Sequence, residues 1–199
     1  MFYDKNTPFQ VAIEFIIFGF DEGELKLLAT KKHLERVREN WSLISGFLEE
    51  DENLKHAASR ILNQLTGLSN VYLEQLYTYN NPDYDPGTQV ISVAYYAIIK
   101  LTNQNKELAN EFDAKWFNIK EIQELIIDPE HIIDMALEEL CEHAKVIPVG
   151  ITLMPTKFTI TQFQAMYEAI FQKKLDRGNF RKNNRRHCET SFTLRNCLR

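Results

Sequence analysis

The sequence lacks a long apolar run, an N-terminal targeting signal and a cysteine framework. No apolar stretch approaches the roughly 20 residues that cross a membrane, and the start, Met-Phe-Tyr-Asp-Lys, has no signal-peptide pattern. The three cysteines, Cys141, Cys188 and Cys197, form no C-x-x-C pair, which argues against both a disulfide framework and a zinc site. We therefore expect a cytoplasmic protein with reduced thiols and no membrane partner.

What the sequence does have is apolar content and an uneven distribution of charge. Hydrophobic residues make up 44% of the 199, enough for one good core and a small second one. Residues 173–199 contain nine Lys or Arg and two acids, so residues 1–172 hold 14 basic and 26 acidic side chains. An acidic body with a basic end is typical of a nucleic-acid-binding appendage, and equally of a solvated basic tail.

One motif combines a glycine, a glutamate and an arginine at fixed spacing. Five residues separate Gly46 from Glu52, seven separate Glu52 from Arg60, and Gly67 closes the segment before an aliphatic residue. This spacing resembles the Nudix box. Within this segment the pattern predicts a helix, with Asp51 as a plausible N-cap, an apolar stripe that includes Leu65, and Gly67 at the C′ position.

The carboxylates of a Nudix box are largely absent. Nudix hydrolases hold Mg²⁺, a hard ion that prefers oxygen ligands, on carboxylates of this helix and use it to activate water. Glu52 remains, but one carboxylate makes a poor Mg²⁺ site. The three glutamates that follow the arginine in the family are replaced here by Ile61, Gln64 and Leu65. The resemblance therefore implies a Nudix fold with no catalytic residue, no metal and no cofactor, used to sense a ligand.

Strand and helix patterns alternate around this box. A hairpin is predicted from a strand at 9–19, a tight turn at 21–23 and a strand at 25–30. Further strands are predicted at 71–79, 90–101 and 115–119, a helix at about 119–125, and another helix with Pro129 at its first position. Residues 8–145 resemble the Nudix fold, which belongs to the α/β class and is an α/β/α sandwich with a mixed sheet. Leu73-Glu-Gln-Leu-Tyr-Thr-Tyr79 and Asp85-Pro-Gly87 resemble its ADP-ribose pyrophosphatase branch.

A second unit is predicted after a linker that contains two prolines and a glycine. We expect a Nudix-like effector-sensing domain at 1–145, a linker at 146–155 and a winged-helix DNA-binding domain at 156–199. A threonine in Phe158-Thr-Ile-Thr161 is expected to cap a helix with an apolar stripe from Phe163 to Phe171. A short second helix is expected after Asp176, in the arrangement of a helix-turn-helix.

These two segments resemble the C-terminal domain of Nudix-related transcriptional regulators. The Gln-Leu-Thr-Gly sequence at 64–67 is similar to sugar-responsive members, such as the arabinose regulator of the Bacteroides group. The resemblance implies a homodimeric repressor of sugar or NAD-related metabolism. Its effector, a pentose sugar or an ADP-ribose-like nucleotide, would release operator DNA.

Candidate site residues follow from the motif and from the basic segment. The effector is expected near Gly46, Phe47, Glu52 and Arg60, although a structural ion pair between Arg60 and Glu52 is the stronger interpretation of that arginine. The candidate DNA contacts are Thr159, Thr161, Arg177, Asn179, Arg181 and Lys182.

The sequence after Lys182 departs from the family pattern. Counted from Phe180, positions i+4 and i+7 are Asn184 and His187, so the apolar stripe stops. Two cysteines and four arginines follow, a shift in composition that suggests a changed reading frame or a truncated gene. We therefore expect the winged helix to be incomplete after about residue 182.

A Nudix hydrolase acting on ADP-ribose or a related nucleoside diphosphate is the alternative function. It would need Glu52 and acidic residues outside the box to bind its metal. A single remaining ligand should give little rate enhancement, and this favours the regulator.

Overall fold

A mixed β-sheet forms the centre of the molecule. This computed structural model describes residues 9–32, 40–80, 90–124, 131–146, 153–155 and 158–182. In the described chain, the strand order β3-β2-β1-β6-β5 places β1 in the middle, with β4 also paired to β1 and β7 to β2. The strands are β1 (Gln10–Asp21), β2 (Glu24–Lys32), β3 (Asn40–Ser42), β4 (Ile44–Phe47), β5 (Glu74–Tyr79), β6 (Val90–Lys100) and β7 (Ala114–Asn118).

The first two strands form the hairpin that the sequence predicts. Asp21 pairs with Glu24, and the two residues between them have positive φ angles, 47° at Glu22 and 93° at Gly23. Two successive positive φ angles are typical of a type I′ turn, whose twist matches that of the flanking strands. Gly23 adopts its angle without steric cost because it has no Cβ. The predicted turn is confirmed.

Alternation along β1 divides the core between the two faces of the sheet. Ile13, Phe15 and Ile17 pack on one face with α1 (Leu54–Thr66) and α2 (Asn103–Glu111). Ile16 and Phe18 pack on the other face with α3 (Ile132–Val146) and α4 (Ile160–Phe171). Successive side chains of a strand point to opposite faces, so one strand supplies both layers. The predicted α/β/α sandwich with a mixed sheet is confirmed.

Helix α2 is an element that the sequence analysis missed. Its residues are mostly polar, and only Ala109 is buried, so no apolar stripe indicates a helix. The helix begins at a cap instead: the Thr102 side chain accepts a hydrogen bond from the Asn105 backbone N–H at 3.2 Å. The cap and the packing of Ala109 under the sheet compensate for the weak pattern.

Two helix starts also differ from the prediction. The helix expected at about 119–125 is a 3₁₀ helix at Ile119–Glu124. Helix α3 begins at Ile132, so Pro129 is not its first residue; Pro129 itself lies outside the described residues. The His131 carbonyl accepts from the Met135 N–H at 3.1 Å, which makes His131, at φ 51°, the residue preceding the first helical turn. The apolar stripe that the sequence predicts for this helix, Ile132, Ile133, Ala136, Leu137 and Leu140, is buried except at Leu137, which is partly buried.

Strand predictions held within a few residues. The strand expected at 71–79 begins at Glu74, and the strand expected at 115–119 runs from Ala114 to Asn118. The run of Asn, Pro, Asp and Gly at 80–87, whose composition predicts a turn between these strands, lies mostly outside the described residues. No helix within the described part of the chain is long and apolar enough to cross a membrane.

The C-terminal segment packs directly on the sheet. Phe163, Met166 and Ile170 of α4 are buried in the same hydrophobic cluster as Phe18 of β1 and Leu25 of β2. Two residues of the predicted linker, Leu153 and Met154, are buried in that cluster too, at 4% and 7% exposure. A short helix, α5 (177–182), follows α4. The sheet and the first helix of the C-terminal segment thus share one core.

Candidate functional site

The box helix α1 is fixed at both ends by its caps. At the N-terminus the Asn53 side chain accepts from the His56 N–H at 2.9 Å, so Asn53, and not Asp51, is the N-cap. An N-cap needs an extended backbone, which Asn53 has at φ −90°, whereas Asp51 has φ 62°. At the C-terminus Gly67 adopts the left-handed conformation at φ 70°, as the sequence predicts.

The box glycine brings strand β4 close to this helix. A Cβ on Gly46 would lie 2.9 Å from Cγ2 of Ile61, which is too close for any ordinary carbon contact. Ile61 is itself 2% exposed and belongs to the core between α1 and the sheet. The isoleucine at this former carboxylate position therefore serves packing. Gly46 allows the approach and offers no side chain to a ligand.

Arg60 is the centre of a hydrogen-bonded cluster that joins the box helix to the box loop. Its Nε and Nη2 donate to the two carboxylate oxygens of Glu52 at 2.9 and 2.7 Å. Nη2 also donates to the Phe47 carbonyl at 3.1 Å, and Nη1 to Gln64 Oε1 at 3.2 Å. Nη1 lies 3.2 Å from a carboxylate oxygen of Glu49 as well. Each nitrogen of the guanidinium group thus has an acceptor within the protein, which supports the structural interpretation of Arg60.

The electrostatics of this cluster agree with its geometry. The hydrogen bonds from Arg60 are the largest cause that lowers the pKa of Glu52 below its usual range, while burial opposes them. The paired side chains are 24% exposed at Arg60 and 15% at Glu52, so the ion pair is partly shielded from water. A bidentate pair of this kind is both stronger and more directional than a single contact.

The oxygen atoms of this cluster do not suit a divalent cation as ligands. Both oxygens of Glu52 face Arg60, and the carboxylate of Glu49 faces the same guanidinium. Gln64 supplies one neutral amide oxygen, which is also bonded to Arg60. Within the ranges that the structure describes, no three His, Cys, Asp or Glu side chains gather closely enough to hold a metal ion. The Mg²⁺ that the Nudix resemblance implies has no fitting ligand set here.

Phe47 and Leu65 are the exposed apolar side chains of the box. Phe47 ends strand β4 with 52% of its surface exposed, while its carbonyl is held by Arg60. Leu65 was expected in the buried stripe of α1 but is 38% exposed; it continues that stripe into the last turn of the helix, where the sheet no longer covers it fully. Of the four predicted effector residues, Phe47 is the one that leaves a large side chain free to contact a ligand.

Two clefts in the described part of the chain lie away from this cluster. One, of about 250 Å³, lies between the β1–β2 turn and α4 and is lined by Gly23, Lys120 and Glu168 among others. The other, of about 420 Å³, lies at the C-terminal end of α1 beside Tyr72 and Leu108. Neither of these two clefts is lined by Gly46, Phe47, Glu52 or Arg60.

A second polar cluster, which the sequence analysis missed, joins the sheet to α3. The Tyr96 hydroxyl lies 3.0 Å from Glu74 Oε2 and 2.7 Å from His143 Nδ1. His143 also lies 3.3 Å from Glu139 Oε1 one turn earlier on α3. Burial, followed by the hydrogen bond to Glu74, raises the pKa of Tyr96. Tyr96, Glu74 and His143 come from separate elements, so only the register of β5 on β6 and the position of α3 bring them together.

The predicted DNA-binding segment forms two helices joined by a turn. Thr159, and not Thr161, caps α4: its hydroxyl accepts from the Gln162 N–H at 3.2 Å, and the Gln162 side chain accepts from the Thr159 N–H at 2.8 Å. Asp176 caps α5 by accepting from the Asn179 N–H at 2.8 Å, as predicted. Thr159 is thus committed to the capping box, whereas Thr161 is exposed on the first turn of α4.

Helix α5 presents a basic outer face. Its buried residue, Phe180, packs against Phe163 and Tyr167 of α4 with ring centroids 5.9 and 5.6 Å apart. The other predicted DNA contacts of this helix are exposed, namely Arg177, Asn179, Arg181 and Lys182. Residues 183–199, where the sequence departs from the family pattern, lie outside the described residues.

Comparisons with known proteins match both parts of the chain. The NrtR DNA-binding winged helix domain matches residues 150–187. The chain is 28% identical over 183 residues to the ADPR responsive transcriptional repressor NtrR of Acinetobacter baylyi, which covers 90% of this chain and 73% of that protein. It is also 28% identical over 115 residues to an ADP-ribose pyrophosphatase of Methanocaldococcus jannaschii, which covers 58% of this chain and 68% of that protein.

Solved structures share the fold. The crystal structure of Shewanella oneidensis NrtR superposes with a TM-score of 0.73 at 24% identity, over 87% of this chain and 83% of that one. The common architecture is a mixed-sheet Nudix fold followed by a C-terminal winged-helix domain. The NUDIX domain itself matches residues 8–135, the part that contains the sheet, the box helix and the Arg60 cluster. The chain belongs to the Nudix family.

Proposed function

We propose that this protein is a DNA-binding transcriptional repressor whose Nudix domain binds an ADP-ribose-like nucleotide without hydrolysing it. The main supporting observation is the Arg60 cluster, in which Glu52, the carboxylate that keeps its place in the box, and Glu49 are both paired with a guanidinium group. The same chain exposes a basic helix at its C-terminal end. A repressor related over most of the chain, named for its response to ADPR, supports this assignment.

The effector is the finer part of the proposal. A pentose sugar fits the likeness of residues 64–67 to sugar-responsive regulators, but the two relatives reported above are named for ADP-ribose. We favour the nucleotide, because the exposed ring of Phe47 provides a stacking surface that suits an adenine base better than a free sugar.

The same proposal includes a homodimer located in the cytoplasm. It also divides the chain into a sensing domain at 1–145 and a DNA-binding domain at 156–199. Arg177, Asn179, Arg181 and Lys182 are proposed to contact DNA, because they occupy the exposed face of α5. Lys and Arg on such a face displace counterions from phosphates, while the first turn of a recognition helix meets the bases.

Thermal shift with ADP-ribose, arabinose and ribose tests the effector. A ligand that binds only the native state raises the melting temperature, and we expect ADP-ribose alone to do so. Phe47→Ala should then weaken ADP-ribose binding by roughly 5- to 150-fold, since one aromatic–base stack contributes about 1–3 kcal/mol. Tyr72→Ala, at another exposed aromatic ring that takes no part in the Arg60 cluster, is the control. A shift with arabinose and none with ADP-ribose would overturn the nucleotide assignment.

DNA binding is tested by selecting duplexes from a random pool. We expect the protein to enrich a defined sequence and to release it when the effector is added.

The hydrolase remains the second candidate, because a pyrophosphatase is among the relatives. Incubation of ADP-ribose with Mg²⁺ or Mn²⁺ separates the two functions: turnover of roughly 1 s⁻¹ or faster would establish the enzyme.

A further inference from the structure

The turn between α4 and α5 is held by two side chains of α4. Glu168 Oε1 accepts from the Leu175 N–H at 3.1 Å and from Gln164 Nε2 at 2.9 Å. Gln164 Nε2 also donates to the Leu175 carbonyl at 2.9 Å. Both backbone groups of Leu175 are therefore bonded to one pair of residues spaced four apart on α4. We call Gln164, Glu168 and Leu175 the turn clamp.

Glu168 of the clamp is shielded from solvent, although its ion-pair partner Lys174 is not. The Glu168 side chain is 14% exposed, whereas Lys174, which donates to Glu168 Oε2 at 2.8 Å, is 93% exposed. An exposed lysine contributes little to a surface ion pair. The two shielded bonds to the Leu175 backbone are thus the directional part of the arrangement.

The clamp connects directly to the start of α5. Leu175 packs against the hydrophobic cluster that contains Phe163 and Phe180, and the next residue, Asp176, caps α5. The side chains proposed to meet DNA begin at the following residue, Arg177. Any movement of Leu175 therefore moves the first turn of α5.

Helix α5 needs a second anchor besides Phe180. Its described part spans six residues, too short to be stable without tertiary contacts, and Phe180 is its one buried side chain within that part. A single aromatic anchor leaves a short helix free to rotate about it. The clamp supplies a second fixed point at the opposite end of the first turn.

We propose that Gln164 and Glu168 are positioning residues that set the orientation of α5 on DNA. This inference rests on the proposed DNA-binding function and adds residues that do not touch DNA themselves. Their role is in base discrimination: side chains on a wrongly oriented helix still attract phosphates, but they no longer align with base edges.

The test compares two affinities for each variant, one for a duplex selected by the wild-type protein from a random pool and one for the same duplex with its base pairs scrambled. In Glu168→Ala and in the uncharged substitution Gln164→Met, we expect the ratio of these affinities to fall by roughly tenfold, about the discrimination of one base contact. Binding to the scrambled duplex should persist. A merely structural role would reduce the folded fraction and lower both affinities alike, leaving the ratio unchanged.

Two control variants separate charge from position. Glu142→Gln removes one acid from the exposed face of α3, away from the turn, and should leave the ratio unchanged. Lys174→Ala removes the ion pair but keeps both bonds to Leu175, so it too should leave the ratio unchanged. Amide hydrogen exchange at Leu175 gives an independent readout, because Glu168→Ala removes the acceptor of this N–H and should lose its protection, whereas both controls keep the acceptor.

The outcomes are distinguishable. If the wild-type protein selects no duplex, the proposed function fails and the positioning role fails with it. If the protein selects a duplex but both clamp variants keep the wild-type ratio, DNA binding stands and the positioning role alone is overturned. A lowered ratio together with lost protection at Leu175 supports the inference.

Discussion

At the scale of single residues, Arg60 shows how one side chain fixes the box loop to the box helix. Its guanidinium group bonds to Glu52, Gln64 and the Phe47 carbonyl, which come from the loop, the helix and the end of strand β4. The planar fork of an arginine matches these acceptors in a way that a lysine ammonium group cannot. The box loop is therefore fixed by one side chain.

Arg60→Lys tests this role. We expect a lower urea midpoint in the effector-free protein, because the lysine cannot bond both oxygens of Glu52 and the Phe47 carbonyl together. Lys55→Arg, an exposed exchange of the same two residue types on the same helix, should leave the midpoint unchanged. Weakened effector binding with an unchanged midpoint would instead show that Arg60 contacts the effector directly.

Glu168 predicts a pH dependence of stability. Its hydrogen bonds from Lys174, Leu175 and Gln164 lower its pKa from 4.5 to about 2 in the folded protein. Because the folded pKa is below the unfolded value, this stabilisation is fully present above pH 4.5 and is lost as the pH falls toward about 2. The difference in unfolding free energy between wild type and Glu168→Gln should therefore shrink over that range. Chemical denaturation at several pH values measures it; a constant difference would contradict the lowered pKa.

At the scale of elements, local signals were reliable where pattern and capping agreed. The β1–β2 hairpin, the box helix and the Asp176 cap formed as expected because each has strong turn or cap chemistry of its own. Helix α2 was missed because it buries only Ala109. The Asp51 cap was wrong because Asp51 and Asn53, two positions apart, both suit an N-cap, and backbone conformation decides between them.

Gly67→Ala tests the end of the box helix. An alanine there would need φ 70°, and its Cβ would lie 2.7 Å from Cγ of Leu108 on α2. We expect a loss of about 1–3 kcal/mol from the left-handed backbone, with further loss from the clash. Urea unfolding measures the change. Ser69→Ala, an exposed position two residues later, should stay within about 0.5 kcal/mol of wild type.

At the scale of the whole molecule, the common core couples the two functional parts. Met166 of α4 is fully buried in the cluster that holds Leu25 and Phe117 of the sheet. Cys141 of α3 adds a contact, since its thiol donates to the Ile170 carbonyl at 3.3 Å, and burial raises the pKa of that thiol. Packed side chains therefore join α4 directly to the sheet.

Met166→Ala tests this coupling. Removing a buried methionine side chain should cost about 2–5 kcal/mol. Trp41 and Trp116, the two tryptophans of the chain, lie in β3 and β7, so their fluorescence reports on the sheet. We expect the tryptophan transition to shift to lower urea in Met166→Ala and to stay in place in the exposed control Lys173→Ala. An unmoved transition in Met166→Ala would mean that the two parts unfold independently.

The sequence by itself determined five of the seven described strands and the box helix, because these depend on periodicity and turn residues; the short strands β3 and β4 were not predicted. Only the tertiary structure decided that every nitrogen of Arg60 is engaged, since its acceptors come from three elements. Only the tertiary structure likewise decided the Tyr96 cluster and the packing of α4 on the sheet. Each depends on long-range contacts, in which packing between elements selects one arrangement among many that the local pattern allows.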